Sequence, residues 1–230
     1  MAAAEKEGGA GMSSGSPSTE PVFFRSFLLG EWMTNAYLAG DPETRAAWVV
    51  DPGFSPEPLL DFIKEEGWQV SRILFTHAHL DHIAGAGAVR KLFPESLLCI
   101  HKSEAAFLTD PSLNLSALMG MNIVAPPADR LLEEGDLLQE GALSCRVIHT
   151  PGHSPGGLCF YFEKENRLVS GDTLFQGSVG RYDFPTSDGE ALFSSIREKL
   201  LPLPDVTSVF PGHGPDTVLG REKQTNPYLI

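Results

Sequence analysis

Three histidines and an aspartate crowd one short stretch, Thr76-His77-Ala78-His79-Leu80-Asp81-His82. The stretch leaves an apolar run ending at Phe75 and enters a segment with helical spacing. Side chains alternate on extended chain, so His77 and His79 point the same way. The chain then turns, and Asp81 and His82 approach from the entry of the next helix. Four donors can thus line one cavity from two directions. Imidazole and carboxylate ligands suit Zn²⁺, Fe²⁺ or Mn²⁺. A lone strand histidine is more often structural. Three imidazoles and a carboxylate buried together without a counter-ion would cost far more than they contribute, so this group reads as metal-ligating.

Further donors occur at other strand ends. His153 lies in Thr150-Pro151-Gly152-His153-Ser154, Asp172 in Ser170-Gly171-Asp172-Thr173, and His213 in Pro211-Gly212-His213-Gly214. Each follows an apolar run and sits beside glycine, which allows close backbone approach. Any one alone could be a turn residue. Together with the first cluster they make a coherent set.

Alternating short β-like runs and helical runs must position these loops. The patterns predict strands over 22–29, 35–39, 46–50, 72–75 and 97–101, and helices over 56–66, 83–93 and 103–108. Residues 110–128 read as a long irregular segment, of a length more often functional than idle. Strands over 136–138, 143–149, 158–162, 167–170 and 206–210 follow, with a helix over 189–200. Two similar halves imply an α/β protein in four layers, an αββα sandwich with helices outside two facing sheets. Residues 1–20, Ala-, Gly-, Ser- and Glu-rich without periodicity, read as a disordered leader, and residues 21–230 as one domain.

Composition narrows the function. Of 230 residues, 17 are Lys or Arg and 30 are Asp or Glu, a net charge of −13. That excess argues against nucleic acid or an anionic membrane as the main partner, and leaves a small molecule. No apolar run approaches the ~20 residues that span a bilayer. The leader lacks an export-type apolar segment. Three cysteines, Cys99, Cys145 and Cys159, alternate with apolar residues as core residues do, which excludes a disulfide scaffold and points to the cytoplasm.

The combined pattern, Thr-His-x-His-x-Asp-His (76–82), Pro-Gly-His-Ser at His153, Gly-Asp-Thr at Asp172 and Pro-Gly-His-Gly at His213, resembles the metallo-β-lactamase fold superfamily. Within it the chain looks most like the glyoxalase II-like hydrolases of the short bacterial hydroxyacylglutathione hydrolase type. Gly-Asp-Thr-Leu-Phe (171–175), Gly-Arg-Tyr-Asp-Phe-Pro (180–185) and Thr-Asn-Pro-Tyr-Leu (225–229) support this. Longer glyoxalase II enzymes carry a C-terminal helical domain whose basic residues hold the glutathione carboxylates. This sequence has only a short tail after His213, so the resemblance does not extend to glutathione specificity. It implies two divalent ions, zinc first, with iron or manganese as alternatives. His77, His79 and His153 would hold one ion, Asp81, His82 and His213 the other, and Asp172 would bridge them. It also implies hydrolysis of a thioester such as S-lactoylglutathione by a metal-bridging hydroxide, with Asp81 foremost a ligand and in addition a candidate proton acceptor.

Several residues admit two readings. Asp51 could orient a ligand imidazole or simply begin the turn at Pro52-Gly53. Arg181 could pair with a substrate carboxylate or with Asp183 or Asp188, and Tyr182 shares its loop as a second candidate substrate contact. His101 and His149 read as structural, and Trp32, Trp48 and Trp68 as packing residues. Asn114-Leu115-Ser116 matches a glycosylation acceptor but carries little weight without an export signal. The rival activities are a persulfide dioxygenase, using one iron at His77, His153 and Asp172, a lactonase or related ester hydrolase, and a non-catalytic binding module.

Overall fold

A computed structural model describes residues 22–230; the expected leader lies outside the described residues. Two six-stranded sheets face each other. In the first, β1 (Phe23–Leu29), β2 (Thr34–Gly40) and β3 (Ala46–Val50) pair antiparallel, and β4 (Gln69–Leu74), β5 (Leu97–His101) and β6 (Arg130–Leu132) continue parallel to β3. In the second, β7 (Leu137–Glu140), β8 (Leu143–His149), β9 (Leu158–Phe162) and β10 (Arg167–Gly171) pair antiparallel. A small hairpin, β11 (Leu174–Phe175) and β12 (Ser178–Val179), precedes β13 (Ser208–Pro211), which pairs parallel to β10 and antiparallel to β14 (Thr217–Val218).

Strand alternation divides the apolar residues among three cores. Trp48 and Val50 of β3 face inward with Tyr37, Leu74 and Cys99, and meet Leu158, Phe160 and Phe162 of β9 between the sheets. Their neighbours Ala47 and Val49 face outward, under Leu59 and Ile63 of α1 (Glu57–Glu66) and Val89 of α3 (Ala86–Leu92). On the far side Cys159 and Tyr161 pack beneath Leu192 of α4 (Gly189–Ser195), whose last turn widens to a π-helical turn over Ile196–Leu200, and Leu219 of α5 (Leu219–Thr225). The four-layer α/β expectation holds.

The helix expected over 83–93 is broken. A short helix α2 (Leu80–Ile83) stops before Gly85. The Gly85 N–H donates to Pro52 O at 2.7 Å instead of continuing a helical ladder. A Cβ at Gly85 would strike the Pro52–Gly53 backbone, so this close approach needs glycine. The helix expected over 103–108 is a 3₁₀ helix, Lys102–Leu108. Pattern reading missed β6, β11, β12 and β14, which are too short to show a period, and α5, which has no side-chain N-cap.

Strand direction decides where the donor loops fall. β3 and β4 run parallel, as do β10 and β13, and β8 runs with β10 because both are antiparallel to β9. The segments after β3, β4, β8, β10 and β13 therefore emerge at one end of the sandwich, each carrying one or more of the candidate residues.

Candidate metal centre

All seven candidate donors meet at that end. His77, His79 and His153 bring one ligand atom each within 4.8 Å of one another; Asp81, His82 and His213 do the same, and so do His77, His82 and Asp172. Asp172 stands between the two triads. Its Oδ1 lies 3.5 Å from His82 Nε2, and its Oδ2 lies 3.5 Å from His153 Nε2 and 3.7 Å from His213 Nε2. Asp81 Oδ2 is 3.0 Å from His213 Nε2 and 3.5 Å from His82 Nε2.

Hydrogen bonds at the back of the rings assign their tautomers. His153 Nδ1–H donates to Arg181 O at 2.8 Å. His82 Nδ1–H donates to Asp51 Oδ2 at 3.0 Å, and the same oxygen accepts the Thr76 hydroxyl at 2.5 Å. That hydroxyl oxygen lies 3.1 Å from His77 Nδ1 and accepts its proton. Asp51 thus orients His82 directly and His77 through Thr76, while its Oδ1 accepts the Thr76 N–H at 2.8 Å. Of the two readings of Asp51, the orienting one describes its contacts. In all three rings Nε2 faces the site; in His77 and His153 it keeps its lone pair, and in His82 it is the position where a cation would replace a proton.

His153 Nε2 lies 2.9 Å from His79 Nδ1, whereas His77 Nε2, His82 Nε2 and Asp172 Oδ1 are buried with no hydrogen-bond partner among the described residues. Orphaned buried polar atoms are costly, and nitrogen and carboxylate lone pairs converging on one space are what a divalent cation binds. The residues present fit such an ion.

Electrostatics differ between the triads. Burial, reinforced by the surrounding imidazoles, holds His77 well below the ordinary histidine range; burial and His153 do the same to His79, so both rings are neutral donors. Burial opposes a charge on His82, yet Asp81, Asp172 and Asp51 outweigh it and push this ring up to about 10. Burial opposes ionisation of Asp81 too, but His82, His213 and the Thr34 hydroxyl, 3.0 Å from Oδ2, hold it below the usual carboxylate range.

Residues without a sequence signal secure the loops. Glu104, fully buried in the 3₁₀ helix, accepts the N–H of Ala78 at 2.6 Å and of Gly156 at 2.8 Å, and so ties the first histidine loop to the His153 loop. Asn35 and Tyr37 of β2 hold the His213 loop: Asn35 Nδ2 donates to Pro211 O and Gly214 O, and the Tyr37 hydroxyl to Pro211 O at 2.6 Å. A Cβ at Gly212 would be driven into Asp172 Oδ1, so glycine beside His213 makes room for the Asp172 carboxylate.

A cavity of about 430 Å³ opens over the donors. Leu115 and Met119 bring the 110–128 segment into its wall, and Trp32 lines it as well, against the packing role expected for that residue. Arg181 reaches the wall but makes a two-point pair with Asp183, Nε–Oδ1 2.9 Å and NH2–Oδ2 3.0 Å. Tyr182 does not line the cavity; its ring packs against Phe193. Asn114 is buried, with its amide bonded to Phe107 O and Ile123 O, which places it out of reach of glycosylation. His101 and His149 stack at 3.9 Å away from the donors, a structural pair as expected. The three cysteines are buried and free.

The family model described as the metallo-beta-lactamase superfamily matches residues 29–213. The chain belongs to the metallo-β-lactamase superfamily. With the His/Asp centre in place it is a metallo-hydrolase of that superfamily. The Bacillus subtilis protein named probable metallo-hydrolase YqgX is 39% identical over 90% of this chain and 97% of its own. The hydroxyacylglutathione hydrolase GloC of Haemophilus influenzae is 38% identical over 85% of this chain and 92% of its own. Among solved structures, BLEG-1 B3 metallo-beta-lactamase superposes with a TM-score of 0.87 at 43% identity, over 90% of this chain and all of that one. TTHA1623 in a di-iron-bound form superposes at 0.79 with 39% identity, over 89% of this chain and all of that one. Among the described residues no helix is long and apolar enough to cross a membrane.

Proposed function

We propose that this chain is a thioester hydrolase of the glyoxalase II type. His77, His79 and His153 would hold one divalent ion, Asp81, His82 and His213 would hold a second, and Asp172 would be within reach of both. Two such ions supply a polarised acyl carbonyl and a water acidic enough to furnish hydroxide near neutral pH. Overall, water adds its oxygen to the acyl carbon, the C–S bond breaks, and the products are a carboxylic acid and a thiol. The thiolate leaves readily, so no strong general acid is required. Asp81, held low by His82, His213 and Thr34, is a poor proton acceptor, which favours a ligand role over a general-base role.

The observation that carries this reading is the complete second triad. A mononuclear iron dioxygenase needs only His77, His153 and Asp172, whereas Asp81, His82 and His213 form a further converging group. The similarity to GloC supports thioesters in particular. The test is elemental analysis of the purified protein alongside turnover of S-lactoylglutathione, other thioesters and lactones. Two metal equivalents with chelator-sensitive thioester hydrolysis are expected. One iron per chain with oxygen uptake on glutathione persulfide overturns the proposal.

A further inference from the structure

Above the donors the cavity wall is apolar. Trp32 comes from the β1–β2 turn, Leu80 from the start of α2, Leu115 and Met119 from the 110–128 segment, Phe175 from β11, and Phe184 from the loop before α4. Among the described residues Arg181 is the only lysine or arginine on this wall. Its guanidinium is engaged by Asp183 at two points and lies over the Phe184 ring at 4.3 Å.

Glutathione carries two carboxylates remote from its sulfur. Even if Arg181 exchanged Asp183 for one of them, the second would lie on hydrocarbon, where an uncompensated carboxylate is strongly disfavoured. The net charge of −13 adds long-range repulsion of anions. An apolar arm, by contrast, releases water from these same side chains.

We propose that the site selects thioesters with an apolar acyl chain and an uncharged thiol arm over glutathione thioesters. This inference rests on the hydrolase reading and specifies the substrate class of the same site. The cavity lies within the range typical of small-molecule sites, ~300–1,000 Å³. Each seated methylene is expected to raise kcat/KM by roughly 3–4-fold until the wall is reached.

The experiment has a kinetic and a binding arm, both on the metal-loaded protein. S-acetyl-, S-butanoyl- and S-hexanoyl-N-acetylcysteamine are compared with S-lactoylglutathione by kcat/KM. The non-hydrolysable thioethers S-hexyl-N-acetylcysteamine and S-hexylglutathione are compared by quenching of Trp32 fluorescence, since they share the apolar arm and differ only in the thiol half. The expected result is a rise with acyl length, at least ten-fold preference for the hexanoyl neutral thioester, and tighter binding of the neutral thioether. Met119→Lys, which adds a cation to the wall, shifts both preferences toward glutathione. Asp183→Asn, which releases Arg181, raises S-lactoylglutathione turnover several-fold and leaves the neutral thioesters unchanged. Preference of the unaltered protein for S-lactoylglutathione, or tighter binding of S-hexylglutathione, overturns the inference and leaves the hydrolase reading standing. No hydrolysis of any thioester overturns the hydrolase reading, and the inference with it.

Discussion

Asp51→Asn isolates the part of the site that directs lone pairs. The aspartate accepts three hydrogen bonds in a buried position, from the Thr76 N–H, the Thr76 hydroxyl and His82 Nδ1–H. Its φ of +49° is a conformation asparagine also adopts readily, so the backbone is not perturbed. Asparagine has one acceptor oxygen where aspartate has two. If its amide nitrogen faces the Thr76 N–H, a buried donor is left unpaired, at a cost of about 1–3 kcal/mol. If it faces His82, it donates to Nδ1 and drives the ring proton to Nε2, where it blocks the atom aimed into the site. The second arrangement leaves the backbone satisfied and is the expected one. Loss of such an orienting partner weakens metal affinity by ~10–100-fold, or ~1.4–2.7 kcal/mol. Dialysis against graded chelator followed by metal analysis reads the affinity, imidazole ¹⁵N shifts of His82 read the tautomer, and a urea midpoint controls for folding. Unchanged retention of both metal equivalents, with the proton moved to Nε2, would refute the orienting role assigned to Asp51.

Further outcomes can be checked. Glu104→Gln puts an amide nitrogen against one of the Ala78 and Gly156 N–H donors, so stability should fall by ~1–3 kcal/mol and metal affinity should fall with it; a denaturation midpoint equal to that of the unaltered protein counts against the clamp. Burial and the stacked His149 lower His101 to about 4. The unfolded chain protonates near 6.5, so the contribution of this pair is full above that pH and declines as pH falls from about 6.5 toward 4. His101→Asn should flatten the loss of stability between pH 7 and pH 5 in urea melts, and an identical slope contradicts it. Burial pushes Cys99 and Cys159 up to about 11 and Cys145 higher still. A thiol-disulfide reagent at pH 8 should therefore label none of the three free cysteines in native protein and all three after unfolding; rapid native labelling argues against their burial.

Local chemistry was legible in the sequence because it is written locally. The cluster 76–82 places four donors through strand alternation followed by a turn, and His153, Asp172 and His213 announce themselves as polar residues beside glycine after apolar runs. Two similar halves of alternating strands and helices predicted layered sheets, and the layers are present, with Trp48 and Val50 facing inward and Ala47 and Val49 outward. What lies across the fold was not legible, because neither hydrogen-bond partners nor cavity walls leave a spacing in the chain. Tertiary packing alone decided that Asp51 orients His82 and, through Thr76, His77, and that Glu104 joins two loops from within a 3₁₀ turn. It also turned Tyr182 away from the cavity, brought Trp32 into it, and tied Arg181 to Asp183. Strand direction, set by which strands pair, gathered the donor loops at one end of the sandwich. The residues supplied the ligands, and only the assembled sheets gave them a common point to face.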